Sequence, residues 1–205
     1  MSEVAVPASR FVRWVDNFRA RHGDTALRVD DGALSGDAAD GSTFVARPPF
    51  AVRYAGDPDP GAFVGALEPP DAWGVLLVRK GGFAVARLAG DHIAEHKIGQ
   101  RHVQGRTKAG GQSQQRFARR RDNQARQAYE AAAEHAVRIL GDAAIPVVTG
   151  GDRAAVDEVL ADPRLRRLEV TGPWLAVPDP RRAVLETAIV DALSVRVAVV
   201  NADRS

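Results

Sequence analysis

From Ser113 to Leu140 the chain runs for 28 residues without a glycine or a proline, alanine dominates the second half, and Gly141 follows. Glycine and proline interrupt helices, and a glycine just past the last turn is the usual stop, so the stretch predicts one long helix over 113–140. At 100° per residue, Phe117, Ala125, Ala128, Ala132, Ala136 and Ile139 fall on one side, while Arg116, Arg119, Arg120 and Arg126 fall within an arc of about 120° on the other. Arg121 lies on the apolar side, in an early turn. One face packs and the other is arginine.

A solvated helix face normally mixes signs, but the 11 residues after Gln112 hold four arginines and one aspartate. Residues 97–126 carry nine cations against Asp122, a net +8, and leave the other 175 residues at −6 within a chain of net charge +2. An acidic body with one basic strip presents a docking site for a polyanion, and the phosphate backbone of a nucleic acid is the partner such a strip fits. The chain has no cysteine, which excludes disulfide scaffolds, thiolate metal sites and cysteine nucleophiles. No run of 18 apolar residues occurs and the first ten residues lack the pattern of a signal peptide, so a cytoplasmic protein with no membrane partner is expected.

Along the chain, Phe11, Trp14, Val15 and Phe18 recur at helical spacing between Ser9, a candidate N-cap, and Gly23, a stop. Residues 30–42 show no periodic apolar pattern and predict a loop between short strands near 26–29 and 43–46. Prolines then punctuate the chain as far as Asp71, so residues 1–70 are expected to form a small α+β addition of undisclosed role. Three β-rich runs, Trp73 to Arg79, Phe83 to Leu88 and His92 to about Gln100, predict a meander. Residues 101–112 are rich in glycine and cations and predict an exposed loop, after which strands near 145–149 and 167–170 alternate with helices over 152–160 and 181 to about 195. The expected class is α/β, a mixed β-sheet with flanking helices, in a second domain of residues 71–205.

At the junction of loop and long helix stands Gly110-Gly111-Gln112-Ser113. The two glycines free the backbone for close approach by another molecule. Gln112 does not titrate and cannot act as a base. It can orient a water and stabilise charge at a reacting carbonyl, through its side chain or its backbone N–H. The triplet alone is a weak signal and reads better as a flexible turn capped by Ser113. The segment Gly110-Gly111-Gln112-Ser113-Gln114-Gln115-Arg116-Phe117-Ala118-Arg119-Arg120-Arg121, however, resembles the GGQSxxRFARxR signature of the catalytic middle domain of eukaryotic and archaeal class-I release factors, matching all nine fixed positions. The element order resembles that domain over about residues 72–195, and the stop-codon-reading and partner-binding domains of those factors have no counterpart in the match. The whole is similar to bacterial members of the Vms-like release factor family.

The resemblance implies a release-factor middle-domain-like fold and a codon-independent peptidyl-tRNA hydrolase active in ribosome rescue or quality control. Its partners would be the peptidyl transferase centre of the large subunit, ribosomal RNA and peptidyl-tRNA, with no cofactor or metal. Gln112 would be catalytic, Gly110 and Gly111 would shape its loop, and Arg106, Lys108, Arg116, Arg119, Arg120 and Arg126 would face RNA. The alternatives are cleavage near the tRNA 3′ CCA end, which the eukaryotic relatives suggest, and a non-catalytic ribosome-binding adapter, for which the arginines alone suffice.

Three weaker signals complete the reading. His92, His96 and His102 share one parity on a straight strand, a conceivable metal constellation or else exposed strand residues. Val148-Thr149-Gly150-Gly151-Asp152 follows a strand and opens a helix, as a phosphate-binding turn does, but reads best as a tight turn with Asp152 as N-cap. Trp14, Trp73 and Trp174 read as packing residues.

Overall fold

The computed structural model describes residues 2–100, 111–141 and 143–202, with the backbone alone for 111–125. In chain order the elements are β1 (Ser2–Val6), α1 (Ala8–His22), β2 (Thr25–Asp30), β3 (Ala33–Ala38), β4 (Thr43–Arg47), α2 (Pro60–Gly65), β5 (Trp73–Arg79), β6 (Gly82–Ala89) and β7 (His92–Gln100). They continue with α3 (Gly111–Leu140), β8 (Pro146–Gly151), α4 (Arg153–Leu160), β9 (Glu169–Val170), α5 (Arg182–Ala192) and β10 (Val195–Val200). The chain is mixed α/β and divides into two units, one of residues 1–69 with 189–205 and one of residues 70–188.

The first unit is a five-stranded antiparallel sheet in the order β1-β10-β4-β3-β2. Phe11, Val15 and Phe18 of α1 pack with Leu34, Phe44, Phe63, Val195 and Val197 in its core. Pro7, not Ser9, stands at the N-cap of α1, and Gly23 (φ 88°) stops the helix with its N–H on the Arg19 carbonyl, 2.8 Å away. Two expectations are corrected here. Residues 30–42 are not a loop: Asp31 and Gly32, both with positive φ, turn the chain into β3. Its small residues fit a central strand because Gly36 lies under Phe44, whose ring carbon would sit 2.3 Å from a Cβ at that position. The second correction concerns residues 189–205, which belong with the first unit. The run Val195-Arg196-Val197-Ala198-Val199-Val200 forms β10, pairing with both β1 and β4.

The second unit holds the sheet β7-β6-β5-β8-β9. β5, β6 and β7 form the antiparallel meander, while β8 runs parallel to β5 and β9 parallel to β8. Leu76, Val78, Phe83 and Val85 bury one face under Tyr129, Ala132, Ala133, Ala136, Ile139 and Leu140 of α3 and Ala155, Val156 and Val159 of α4. Alanines at 128, 132, 133 and 136 let α3 approach the strands closely. Gly141 (φ 72°) ends the helix, with its N–H 3.0 Å from the Val137 carbonyl.

Candidate functional site

Arg126 and Gln127 of α3 are exposed, and its buried positions run from Ala128 to Leu140. Its packed part runs antiparallel to β8. Leu140 meets Gly74 beside Val147 near the start of β8, and Tyr129 lies close enough to Asp152, just past its end, for that carboxylate to raise the phenol pKa after burial has done so. At 1.5 Å per residue, Gly111 stands about 27 Å along the helix axis from Tyr129. The first half of α3 is therefore an arm that reaches past the end of the sheet.

Gly111 and Gln112 are the first two residues of this helix, so the helix begins two residues earlier than the expected Ser113. The first four N–H groups of an α-helix have no intrahelical partner, and they carry the positive end of its dipole. The backbone N–H of Gln112 is one of them. Gly110, Arg106 and Lys108 lie outside the described residues. Arg116, Arg119 and Arg120 are placed by their helical register alone, in an arc that does not overlap that of the buried positions from Ala128 to Leu140, and Arg126 is exposed.

Side chains that the sequence reading did not single out brace α3. Arg138 pairs with Glu95 of β7. Arg164 bridges Glu134 of α3 and Asp162, at 2.7 Å to each, and its hydrogen bonds hold the Asp162 carboxyl down to about 2. His135 stacks on Phe83 with ring centroids 5.5 Å apart, and burial, then Lys97 and Arg138, lower its pKa.

The weaker signals resolve into structure. A β-bulge opposite Arg87 and Leu88 shifts the register of β7. His92, opposite Ala89, and His96, opposite Ala86, consequently fall on opposite faces of the strand. His92 pairs with Asp91, His96 bonds Arg182 at 2.8 Å, and His102 lies outside the described residues. Among the described residues no group of three potential ligands could hold a metal.

The Gly150-Gly151 turn is a crossing of backbones. A Cβ on Gly150 would lie 2.4 Å from the Leu175 carbonyl oxygen, and one on Gly151 would lie 2.3 Å from that of Val78. The N–H groups of Gly151 and Asp152 donate to these same carbonyls at 3.0 and 2.8 Å, which takes up the donors a phosphate would need. Asp152 occupies the N-cap position but its side chain makes no capping bond. Trp73 is fully buried and donates to the Gly90 carbonyl at 2.7 Å. Trp14 stacks with Phe11 and Phe18, and Trp174 lies under the Arg153 guanidinium. No helix among the described residues is long and apolar enough to cross a membrane.

Among known families, residues 71–198 match the one described as Actinobacteria/chloroflexi VLRF1 release factor. No curated protein matches the chain. The match spans 128 of the 205 residues and contains the whole of α3 with the Gly-Gly-Gln segment at its start. The chain belongs to the Actinobacteria/chloroflexi VLRF1 release factor family, and its role is that of a release-factor-like protein in translation, at the ribosome.

Proposed function

We propose that the chain is a codon-independent peptidyl-tRNA hydrolase that frees nascent peptides from stalled ribosomes. One observation carries this reading: Gln112 stands at the start of a 30-residue helix, about 26 Å along its axis from Tyr129, the residue that packs at the end of the sheet. That arm has the reach to enter a narrow RNA-walled centre. The ester between peptide and tRNA is already activated and held by the ribosome, so a group that admits and orients one water suffices. Water adds to the ester carbonyl, the developing oxyanion is stabilised by amide donors at Gln112, and the 3′ oxygen of the tRNA leaves with a proton. Gly110 and Gly111 leave the approach free of Cβ atoms. Arg116, Arg119, Arg120 and Arg126, with Arg106 and Lys108 ahead of the helix, hold phosphates around the tip.

The test is release of labelled peptide from stalled ribosomes whose A site is empty, holds a sense codon or holds a stop codon. The wild type releases peptide in all three, and Gln112→Ala retains it. Shortened tRNA in the product would assign cleavage of the CCA end instead of ester hydrolysis. Binding without release by the wild type would assign an adapter.

A further inference from the structure

The first unit is acidic, with nine arginines against twelve carboxylates. Most of its described arginines are engaged. Arg28 pairs with Asp37, Arg47 and Arg53 both reach Asp31, Arg19 lies 3.9 Å from Asp16, and Arg196 donates to the Asp191 carbonyl at 2.9 Å. Arg10, Arg13 and Arg21 of α1 are different. All three are exposed, and none makes an ion pair or side-chain hydrogen bond among the described residues.

These three share one stripe. Taking Arg10 as 0° and 100° per residue, Arg13 falls near −60°, Asn17 near −20° and Arg21 near +20°, an arc of about 80°. Phe11, Val15 and Phe18 lie between about 80° and 140°, on the buried side. Asp16 is outside the stripe, near −120°, and is the partner of Arg19. A helix face meant only for water places opposite charges three and four residues apart, whereas like charges at that spacing repel. Positions 10, 13, 17 and 21 hold three arginines, one amide and no acid over a length of about 16 Å. A polyanion relieves that repulsion.

We propose that Arg10, Arg13, Asn17 and Arg21 form a second RNA-docking stripe, carried by the first unit, that holds the phosphate backbone of ribosomal RNA. Each guanidinium offers a fork of donors to phosphate oxygens, and the Asn17 amide adds a neutral donor. The choice of ribosomal RNA rests on the release-factor reading, because it surrounds a factor on the ribosome whichever tRNA is present. Free tRNA offers the same phosphates and is separated by the experiment.

The experiment measures binding of the full chain to large ribosomal subunits without tRNA and, separately, to free tRNA, each over a series of salt concentrations. Replacing Arg10, Arg13 and Arg21 together by Gln is expected to weaken binding at least tenfold at low salt. It should also flatten the logarithmic salt slope by about 2 to 3, roughly one unit for each lost phosphate contact. The triple Arg→Lys variant keeps the slope, and Arg47→Gln with Arg53→Gln leaves both quantities unchanged. Thermal melting of each variant checks that the unit stays folded. A folded Gln triple with wild-type affinity and slope overturns the proposal, as does a loss confined to free tRNA. Failure of the hydrolase reading would appear separately, as wild-type protein that binds subunits through α1 yet releases no peptide.

Discussion

Leu140 occupies the space a side chain on Gly74 would need: a Cβ there would lie 2.6 Å from Leu140 Cδ2. The last turn of the arm-bearing helix is thereby seated on β5, the middle strand of its sheet. The end of a leucine can rotate away, so Gly74→Ala is expected to cost about 1 kcal/mol. Gly150→Ala meets the backbone oxygen of Leu175 at 2.4 Å, which the Gly151 N–H holds in place, and is expected to cost about 3 kcal/mol. Thermal midpoints should rank wild type above Gly74→Ala above Gly150→Ala, and the reverse order of the two variants would contradict this account.

Gln112 and the arginines of α3 should separate kinetically. Gln112→Ala is expected to lower release at saturating protein by about 100- to 1000-fold with little change in ribosome affinity, since an interaction made only in the transition state affects turnover. Arg119→Gln with Arg120→Gln should instead weaken ribosome binding and flatten its salt slope by about 1 to 2. Single-turnover release measured alongside binding checks both.

The Arg164 bridge has an acid signature. Asp162 is held down to about 2, first by its side-chain hydrogen bond to Arg164, so its folded pKa lies below the unfolded one. Its contribution is complete above the unfolded value and is lost as pH falls from about 4 towards 2. The gap in thermal midpoint between wild type and Arg164→Gln should be constant near neutrality and narrow over that range. The bridge is exposed, so the gap itself should be small.

His135 has the same sign at higher pH. Burial beside Phe83, with Lys97 and Arg138 nearby, lowers its folded pKa, so the unfolded chain takes up its proton first on acidification. Stability falls as pH drops below about 6.5 through this group. His135→Phe keeps a ring over Phe83 and should remove that part of the loss, which melting curves at pH 7.5 and 5.5 would reveal.

The elements legible in the sequence are those whose signal is local. The 28 residues of 113–140 read as a helix because nothing in them breaks one, and the meander reads from its three β-rich runs. β3 escaped because its residues are small and form no apolar rhythm. The Asp31-Gly32 turn was its one local mark, and Phe44, which explains Gly36, is a tertiary partner. β10 escaped because an apolar run directly after a helix reads as more helix until β1 and β4 are seen on either side of it. The histidine parity failed at a bulge, which inserts one residue and flips every side chain beyond it. At the site, Gln112 is legible from its motif. The α1 stripe is not, because it stands out only when the other arginines of its unit are seen to be paired.

The placement of β10 also orders the birth of the protein. Residues 70–188 form a contiguous stretch, so the unit that carries the helical arm is complete as soon as that stretch has left the ribosome. The other unit is interrupted by it. β1 pairs with β10 alone, so β1 waits for β10, with the whole second unit emerging in between. Throughout that interval β1 and the open edge of β4 are unpaired strands on a nascent chain, exposed to the hazards of any free sheet edge. The sheet of the first unit thus stays unfinished until β10 has emerged.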